Sequence, residues 1–392
     1  RVAHARPARA PGTRSGGGRS VNRRGHVRPL DGLRALAILL VIAHNTNIFP
    51  DHPGGLWPLA TLATAGWTGV QLFFVLSGFL ITGRLIDAAA DPHRLRDFYL
   101  RRVLRIFPLY YLALLVGLVL LPLLAGWPPA THAQRIGAAS LWTFTNNWAQ
   151  AYGYEVDGYS HFWSLAVEEQ FYLVWPFVAW RWQGSALLRA CALIVAAAFA
   201  FRLALYFGGG PVLGTYLFSA SRMDALAMGA AVAVLWRRAG VRTWIVAHGR
   251  TLAWTIALLL GAGAALSHGY ARASFANISW GYPLLAACFA LLLLLLASRQ
   301  AEGQSGWLDA LLGSHVAVSI GRVSYGMYVL HLPIVLYAAR WFGDGGRFGS
   351  VAGALLYPAC VAIAAYLAAL ASHALIERPF LRLKDRLAPG PA

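Results

Sequence analysis

The stretch Leu30–Phe49 reads LDGLRALAILLVIAHNTNIF and predicts an apolar helix with two polar side chains of functional interest. Arg34 lies near its start and His44 lies deep inside it. At about 1.5 Å of rise per residue, the two are roughly 15 Å apart along the axis, so Arg34 is near one membrane face and His44 near the bilayer centre. A neutral imidazole can accept a proton, and a guanidinium can hold phosphate. We therefore predict that the other helices gather around this one.

The composition is typical of a membrane protein. Hydrophobic residues make up 58% and charged residues 12% of the 392-residue chain, which is too little polar surface for a soluble globule. The net charge of +18 comes almost wholly from arginine. Because the arginines lie beside apolar runs rather than in a separate basic domain, we interpret them as topology determinants and expect no nucleic-acid partner.

Apolar runs predict an all-α integral membrane protein, a bundle of about ten transmembrane helices. The predicted spans are residues 32–49, 66–86, 104–124, 163–181, 186–207, 217–236, 248–267, 280–298, 317–342 and 350–376. The segment 136–150 fits either an interfacial helix or a short re-entrant piece.

Arginine placement predicts the orientation of the bundle. If the N-terminus is inside, nearly all arginines outside the spans fall on the cytoplasmic side, so both termini are predicted to be cytoplasmic. Residues 1–29 then form a disordered arginine-rich cytoplasmic tail. Residues 30–380 form the transmembrane domain, and residues 381–392 a short cytoplasmic tail.

Glu168 and Glu169 are acids inside the fourth span, where a charge at the bilayer centre costs about 2.5–3.5 kcal/mol. This span enters from the outside, which places Glu168 at a depth similar to that of His44. On the functional interpretation, one glutamate orients the His44 imidazole and stabilises its charged form, as an acid does in a catalytic triad. On the alternative, the glutamate forms a structural ion pair with an intramembrane arginine such as Arg202 or Arg222.

Helical spacing places further polar side chains on common faces. Ser164, Glu168 and Tyr172 are four apart and share a face. Arg102 and Arg105 are three apart and share a face at the cytoplasmic end of the third span. These two arginines either anchor the helix at the membrane surface or clamp a phosphate with their guanidinium groups.

A set of polar and aromatic residues in the spans is predicted to line an acceptor site or cavity. They are Ser77, Trp163, Tyr172, Arg222, Asp224, Tyr328 and His331. Small-residue packing is the alternative for Ser77, and a satisfied core histidine is the alternative for His331. Arg222 and Asp224 are too close in sequence to pair within one helix, so each is expected to bond elsewhere. No residue spacing predicts a metal site.

Seven short motifs, in order over about residues 30–380, resemble the acyltransferase-3 family of integral membrane acyltransferases. They are LDGLR with the histidine of the first span, FFVLSGFLIT, FYLRRVLRIFPLYY, FWSLAVEEQFYL, RMDAL, VSYGMYVLHLPI and ERPF. The resemblance implies transfer of an acyl group from acyl-coenzyme A, or a similar thioester, to a hydroxyl. Family acceptors are mostly sugars in polysaccharide, lipopolysaccharide, peptidoglycan, glycolipid or macrolide glycosides.

The resemblance also implies residue roles. The family's functional positions fall on Arg34, His44, Arg102, Arg105 and either Glu168 or Glu169. Relatives usually have ten residues between the first arginine and the histidine, whereas this chain has nine, which sets the pair about 80° apart on an ideal helix. A bulge or a different partner for the arginine would compensate. Many relatives continue into an extracellular esterase-like domain, and this chain is expected to be the stand-alone form.

Together these expectations describe a multi-pass O-acyltransferase of the cell's inner membrane. It takes an acyl group, acetyl in the first instance, from acyl-coenzyme A bound as a substrate rather than as a permanent cofactor. Arg102, Arg105 and Arg34 hold the donor phosphates, and His44 either deprotonates the acceptor hydroxyl or is itself acylated. The alternative is a proton-coupled transporter that uses the same intramembrane side chains. The acyl group, the acceptor and the oligomeric state stay open.

Overall fold

The computed structural model describes residues 28–46, 61, 63–126, 130–342 and 351–388, and these residues form helices and turns without a strand. The first eight helices are α1 Arg28–Asn45, α2 Thr68–Asp87, α3 Arg94–Leu114, α4 His132–Trp142, α5 Asn146–Ala151, α6 Trp163–Arg181, α7 Gly184–Phe207 and α8 Ser219–Trp236. The others are α9 Ala239–Ala247, α10 Gly249–Leu266, α11 Tyr282–Ala301, α12 Trp307–Leu312, α13 His315–Arg322, α14 Ser324–Phe342, α15 Val351–Ser372 and α16 Arg378–Leu387. Helix α3 continues through a π-helical turn, Leu115–Leu120, to Leu124.

The predicted spans coincide with helices, and the differences lie at their ends. Helix α1 ends at Asn45, so His44 lies in its last turn rather than deep inside it. Helix α3 begins at Arg94, well before the predicted start near residue 104. The ninth predicted span is two helices, α13 and α14, which meet at Val323. The segment 136–150 contains α4 and α5, of 11 and 6 residues, and neither is long enough to cross a bilayer.

Within the described residues, seven helical segments are long and apolar enough to cross a membrane. They are Ala65–Asp87, Arg94–Leu124, Gly184–Phe207, Gly214–Trp236, Gly249–Leu266, Asn277–Ala301 and Leu356–Leu387. The protein is thus an all-α, multi-pass membrane protein. Helices α1, α6 and α14 are not among the seven, and these are the helices that carry His44, Glu168 and His331. The count of ten spans and the cytoplasmic termini stay predictions.

Helix α1 is not alone at the centre of the bundle. Helix α1 packs against α2, α13 and α14, as the sequence predicts, through buried side chains that include Leu33, Ile38 and Val41. Helix α2 packs in addition against α6, α8 and α11. The polar side chains of α1, α2 and α6 therefore face one another across the middle of the protein.

Helices α2 and α8 approach each other through two glycines. A Cβ on Gly78 would overlap the carbonyl oxygen of Leu226, and a Cβ on Gly229 would overlap that of Val75. Small residues at such a crossing let two helix backbones touch, which is how helices pack tightly within a bilayer. Gly78 in the motif FFVLSGFLIT therefore permits the close approach of the two helices.

We expect Gly229→Ala to destabilise the protein by about 1–3 kcal/mol, because the added methyl group forces α2 and α8 apart. The measurement is thermal unfolding in detergent, followed by size-exclusion chromatography. Gly240→Ala is the matched control, since it also lies in a helix but has nothing within 4 Å of its would-be Cβ. Equal melting temperatures for the two variants would contradict the close contact.

Candidate functional site

Arginines from three helices surround a cavity of about 110 Å³ in the middle of the bundle, which we call the arginine cavity. Its polar and tyrosine lining is Arg34, Ser77, Arg84, Arg102, Arg105, Ser164, Glu168, Tyr172, Ser324, Tyr325 and Tyr328. These residues lie on α1, α2, α3, α6 and α14, so the cavity forms only when distant parts of the chain meet. The predicted common faces of α3 and α6 are confirmed, because all five of their predicted members line this one cavity.

The arginines of α2 and α3 carry the positive charge of this cavity. Arg84, Arg102 and Arg105 have no carboxylate within ion-pair distance in the part of the chain that the structure describes. Guanidinium groups that face a cavity without carboxylate partners suit a phosphate, which they bind through paired charge-assisted hydrogen bonds. The arginine cavity therefore has the chemistry of an anion site.

Arg34 reaches the same cavity in a different way. Helix α1 is a regular α-helix from Arg28 to Asn45, so no bulge compensates for the short spacing between Arg34 and His44. Instead, Arg34 Nη1 donates to Asp31 Oδ1 at 3.0 Å, one turn earlier on the same helix. Asp31 is therefore the different partner of Arg34 that was expected from the short spacing between Arg34 and His44.

Glu168 belongs to the arginine cavity and not to His44. Its two carboxylate oxygens accept hydrogen bonds from Ser77 Oγ at 2.8 Å and from Tyr172 Oη at 2.9 Å. The Arg102 guanidinium lies 5.1 Å from the centre of the Tyr172 ring. The predicted contact between a span-four glutamate and the imidazole is corrected accordingly, because His44 lines a separate cavity. Glu169 lines none of the cavities described here.

A pocket of about 210 Å³ at the ends of α2 and α3 adjoins the arginine cavity, and we call it the entrance pocket. The two share Arg84 and Arg102, and Arg94 and Arg101 also line the entrance pocket. Sequence reasoning missed Arg84, which it counted only as a topology signal. Its spacing of seven residues from Ser77, two turns along one face, was the signal that could have found it.

A third cavity, of about 340 Å³, adjoins the arginine cavity but shares no lining residue with the entrance pocket. We call it the histidine cavity. Its polar and aromatic lining is His44, Asn45, Trp67, Gln150, Glu155, Ser160, His161, Trp163, Tyr216, Arg272 and Tyr328. It shares Val70 and Tyr328 with the arginine cavity. The three cavities therefore form a row: entrance pocket, arginine cavity, histidine cavity.

His44 lines this cavity and has one ring nitrogen without a hydrogen-bond partner among the residues that the structure describes. Its Nδ1 lies 3.3 Å from the carbonyl oxygen of Ala63. Because a carbonyl oxygen can only accept, this contact assigns the ring proton to Nδ1 and leaves a lone pair on Nε2. That tautomer is the one a general base needs.

Tyr328 separates the arginine cavity from the histidine cavity. Its hydroxyl donates to the carbonyl oxygen of His161 at 2.7 Å and lies 2.5 Å from Ser164 Oγ. The side chain is buried and contributes to both cavity walls. Together with Val70, the Tyr328 ring therefore belongs to the boundary between the two cavities.

His331 is a satisfied core histidine, the alternative that the sequence left open. It is fully buried and lines none of the three cavities. Its Nδ1 donates to the carbonyl oxygen of Tyr328 at 2.8 Å, and its Nε2 accepts from Asn45 Nδ2 at 2.9 Å. His331 thus holds the residue that follows His44 in the chain.

Arg222 and Asp224 line none of the three cavities described here, so the structure does not bring them to the predicted site. Asp224 Oδ2 pairs with Arg202 Nη1 at 2.7 Å, and both side chains are 0% exposed. Arg222 donates to the Gln71 side-chain oxygen and lies 4.4 Å from the centre of the Tyr282 ring. The prediction that these two neighbours bond elsewhere, rather than to each other, is confirmed. Trp163 lines the histidine cavity, whereas Ser77 and Tyr172 line the arginine cavity.

We expect Asp224→Ala to destabilise the protein by about 3–5 kcal/mol, since it leaves the Arg202 guanidinium buried without its counter-charge. The double variant Arg202→Met/Asp224→Leu removes both charges and should recover most of the loss. Thermal unfolding of the purified proteins in detergent measures both. A double variant as unstable as the single one would show that the pair contributes more than charge balance.

The fold and the site define a multi-pass membrane protein with a row of polar cavities that leads from an arginine cluster to a histidine. The family model described as an acyltransferase domain matches residues 28–373, and the chain belongs to this acyltransferase-3 family. Membership agrees with the resemblance carried by the seven motifs.

Three curated relatives are similar to this chain. A putative peptidoglycan O-acetyltransferase, YrhL, of Bacillus subtilis is 32% identical over 54% of the chain and 33% of its own length. The peptidoglycan O-acetyltransferase OatA of Listeria monocytogenes is 30% identical over 54% of the chain and 34% of its own length. The O-acetyltransferase OatA of Staphylococcus aureus is 24% identical over 81% of the chain and 52% of its own length. The chain thus spans a third to a half of these relatives. No solved structure matches the chain significantly.

Proposed function

We propose that this protein is a membrane O-acyltransferase that moves an acyl group, acetyl in the first instance, from acyl-coenzyme A to a hydroxyl of a sugar-containing acceptor. Family membership supports the reaction class, and the relatives named as peptidoglycan O-acetyltransferases support a glycan acceptor. We assign the protein to the cytoplasmic membrane, with the entrance pocket on the cytoplasmic side, because the sequence predicts that this end carries the inward-facing arginines.

The observation that carries the proposal is the row of three cavities. A donor with several phosphates and a thioester needs an anion site and a route from that site to a base. The arginine cavity supplies the charges, and it adjoins the histidine cavity at Val70 and Tyr328. The axial distance from Arg34 to His44, about 15 Å for ten residues of helix, is one that a pantetheine arm can cover.

The donor would bind from the entrance pocket inwards. Arg84 and Arg102 line both the entrance pocket and the arginine cavity, so they would contact the phosphates first, with Arg105 and Arg34 deeper. Glu168, held by Ser77 and Tyr172, places a carboxylate near the guanidinium groups and so reduces their mutual repulsion before the donor arrives. This role replaces the predicted support of the imidazole.

The transfer step uses the lone pair on His44 Nε2. As the acceptor hydroxyl attacks the thioester carbonyl carbon, Nε2 takes the hydroxyl proton. The tetrahedral adduct collapses, the carbon–sulfur bond breaks, and the coenzyme A sulfur leaves with the proton returned from the imidazolium. On the second route, Nε2 itself attacks the carbonyl carbon, and the carbon–sulfur bond breaks to leave an acyl-imidazolium and the coenzyme A thiolate. The acceptor hydroxyl then attacks the acyl group, the carbon–nitrogen bond breaks to regenerate the imidazole, and the hydroxyl proton goes to the thiolate. Both routes need the same nitrogen free.

The test uses the purified full chain in lipid nanodiscs. Release of the coenzyme A thiol from acetyl-coenzyme A is followed with a thiol reagent, with and without tetra-N-acetylchitotetraose as a probe acceptor. Acetylated sugar is detected by mass spectrometry. We expect thiol release that depends on the protein and rises with the sugar. If no thiol is released at any of the acceptor concentrations, the proposed function is wrong.

A further inference from the structure

Arg272 is a charged side chain of the histidine cavity that the reaction described above does not use. It is exposed and lies in the connection between α10 and α11. Histidines apart, the cavity has one other titratable charge among its described lining residues, Glu155 between α5 and α6. In the part of the chain that the structure describes, no ion pair includes Arg272. A guanidinium that lines a cavity without a carboxylate partner suits an anion from outside the protein.

The backbone that carries Arg272 is fixed by two buried aromatic side chains. Trp67 Nε1 donates to the carbonyl oxygen of Tyr270 at 3.0 Å, and Tyr282 Oη donates to that of Arg272 at 2.9 Å. Tyr270 has a φ of 59° and His268 a φ of 52°, in the left-handed region that residues other than glycine rarely adopt. Because these hydrogen bonds hold an unusual backbone conformation, the fold defines the position of Arg272 on the cavity wall.

The Arg272 guanidinium lies over an aromatic wall of the cavity. Its Cζ is 5.2 Å from the centre of the Tyr216 ring, which is a cation–π distance. The centre of the Tyr216 ring is in turn 4.5 Å from that of Trp163 and 5.6 Å from that of Trp67. All three aromatic side chains line the histidine cavity. Aromatic walls with a charged group that fixes orientation are typical of a site for a small molecule.

The donor phosphates of the proposed reaction are not the anion that Arg272 meets. The histidine cavity shares no lining residue with the entrance pocket, where Arg84 and Arg102 would contact those phosphates first. The acetyl thioester that would reach His44 is uncharged. A reactant with a stable negative charge beside Arg272 is therefore the acceptor.

We propose that Arg272 binds an anionic group of the acceptor, a carboxylate or a phosphate ester, and so selects negatively charged sugars over neutral ones. This inference rests on the proposed function, which gives the acceptor only as a sugar-containing molecule. A guanidinium donates paired hydrogen bonds to either anion. The Glu155 carboxylate can only accept, which suits sugar hydroxyls. Arg272 sets the orientation of the acceptor and takes no part in making or breaking covalent bonds.

The experiment compares charged and uncharged acceptors in two matched pairs, with acetyl-coenzyme A as the donor. N-acetylmuramic acid carries a carboxylate, and its amide carries none. N-acetylglucosamine 1-phosphate carries a phosphate, and methyl N-acetylglucosaminide carries none. For wild type we expect kcat/KM to be about 10-fold higher for at least one charged sugar than for its neutral counterpart. A preference in the first pair identifies a carboxylate, and one in the second pair a phosphate ester. Because Arg272 is exposed, the preference should fall as salt is added.

Three variants assign the preference to Arg272. Arg272→Gln should abolish it and leave kcat/KM for the neutral sugars and KM for the donor within about twofold of wild type. Arg272→Lys keeps the charge without the paired hydrogen bonds and should retain part of the preference. Arg135→Gln is the matched control, because Arg135 is exposed on α4 and lines none of the three cavities. A wild type without preference in either pair, or an equal loss of transfer to charged and neutral sugars in Arg272→Gln, would overturn the inference.

Binding without a donor separates failure of this inference from failure of the proposed function. The intrinsic tryptophan fluorescence, to which Trp67 and Trp163 in the cavity wall contribute, follows the binding of each sugar to wild type and to Arg272→Gln. Tighter binding of a charged sugar by wild type, lost in the variant, supports the inference even if no acyl transfer occurs. Equal affinities of the two proteins for the charged sugars would contradict it, whatever the transfer assay shows.

Discussion

Replacement of His44 by alanine is expected to lower kcat for acyl transfer by about 10²- to 10⁴-fold, the range that a positioned general base contributes. The variant removes the Nε2 lone pair from the reacting end of the row of cavities. Binding of the donor phosphates occurs in the arginine cavity, so KM for acetyl-coenzyme A should stay within about twofold of wild type. Steady-state thiol release in nanodiscs measures both constants.

Two controls make the His44 result specific. His248→Ala removes an exposed imidazole that contacts only its own helix turn, and it should leave both constants unchanged. Free imidazole added to His44→Ala can occupy the space left in the histidine cavity, and we expect it to restore part of kcat. A His44→Ala variant with wild-type turnover would show that another group is the base. If free imidazole raised kcat of the wild-type protein as well, its effect on the variant could not be assigned to the space that His44 vacates.

Replacement of Arg102 or Arg105 by glutamine is expected to raise KM for acetyl-coenzyme A by about 10- to 100-fold each, with a small change in kcat. Each variant removes charge-assisted hydrogen bonds to a phosphate, which contribute about 1.5–3 kcal/mol apiece. Glutamine is shorter than arginine but keeps its first two methylene groups and an N–H donor, so the variant removes the charge and retains part of the packing. KM and kcat are measured with purified protein at constant ionic strength, because such contacts weaken with salt.

Truncated donors test whether the arginines bind the phosphates. Acetyl-dephospho-coenzyme A lacks the 3′-phosphate, and acetyl-pantetheine lacks every phosphate. If the guanidinium groups bind phosphate, the variants and wild type should have the same KM for acetyl-pantetheine. Arg189→Gln is the control, since Arg189 is exposed on α7 and lines none of the three cavities. An equal fold-change in KM for all donors would mean that Arg102 and Arg105 stabilise the fold instead.

Helices and helix faces were predictable because they depend on residues close together in the chain. The boundaries of α7, Gly184–Phe207, lie within about two residues of the predicted span 186–207, since an apolar run of that length has to be helical in a bilayer. The common face of Ser164, Glu168 and Tyr172 follows from their four-residue spacing alone. The pairing of Arg102 with Arg105 on one face of α3 has the same origin.

Contacts between distant residues were not predictable. Glu168 was expected beside His44 because the two lie at a similar depth, but depth gives no direction around a helix axis. Because of the rotation of α2, Ser77 rather than His44 contacts the Glu168 carboxylate. The Asp224 carboxylate forms its ion pair with Arg202 and not with Arg222.

The sequence by itself determined that this is a membrane protein of helices with an arginine face on α3, a histidine on α1 and acids in α6. Hydropathy and helical periodicity act over a few turns, and they require nothing from the rest of the chain. Only the tertiary structure decided which side chains share a cavity, that Tyr328 stands between two of the cavities, and that Arg272 lines the same cavity as His44. Those facts depend on how each helix is rotated against its neighbours, and that rotation is set by close backbone contacts such as the one between Gly78 and Leu226.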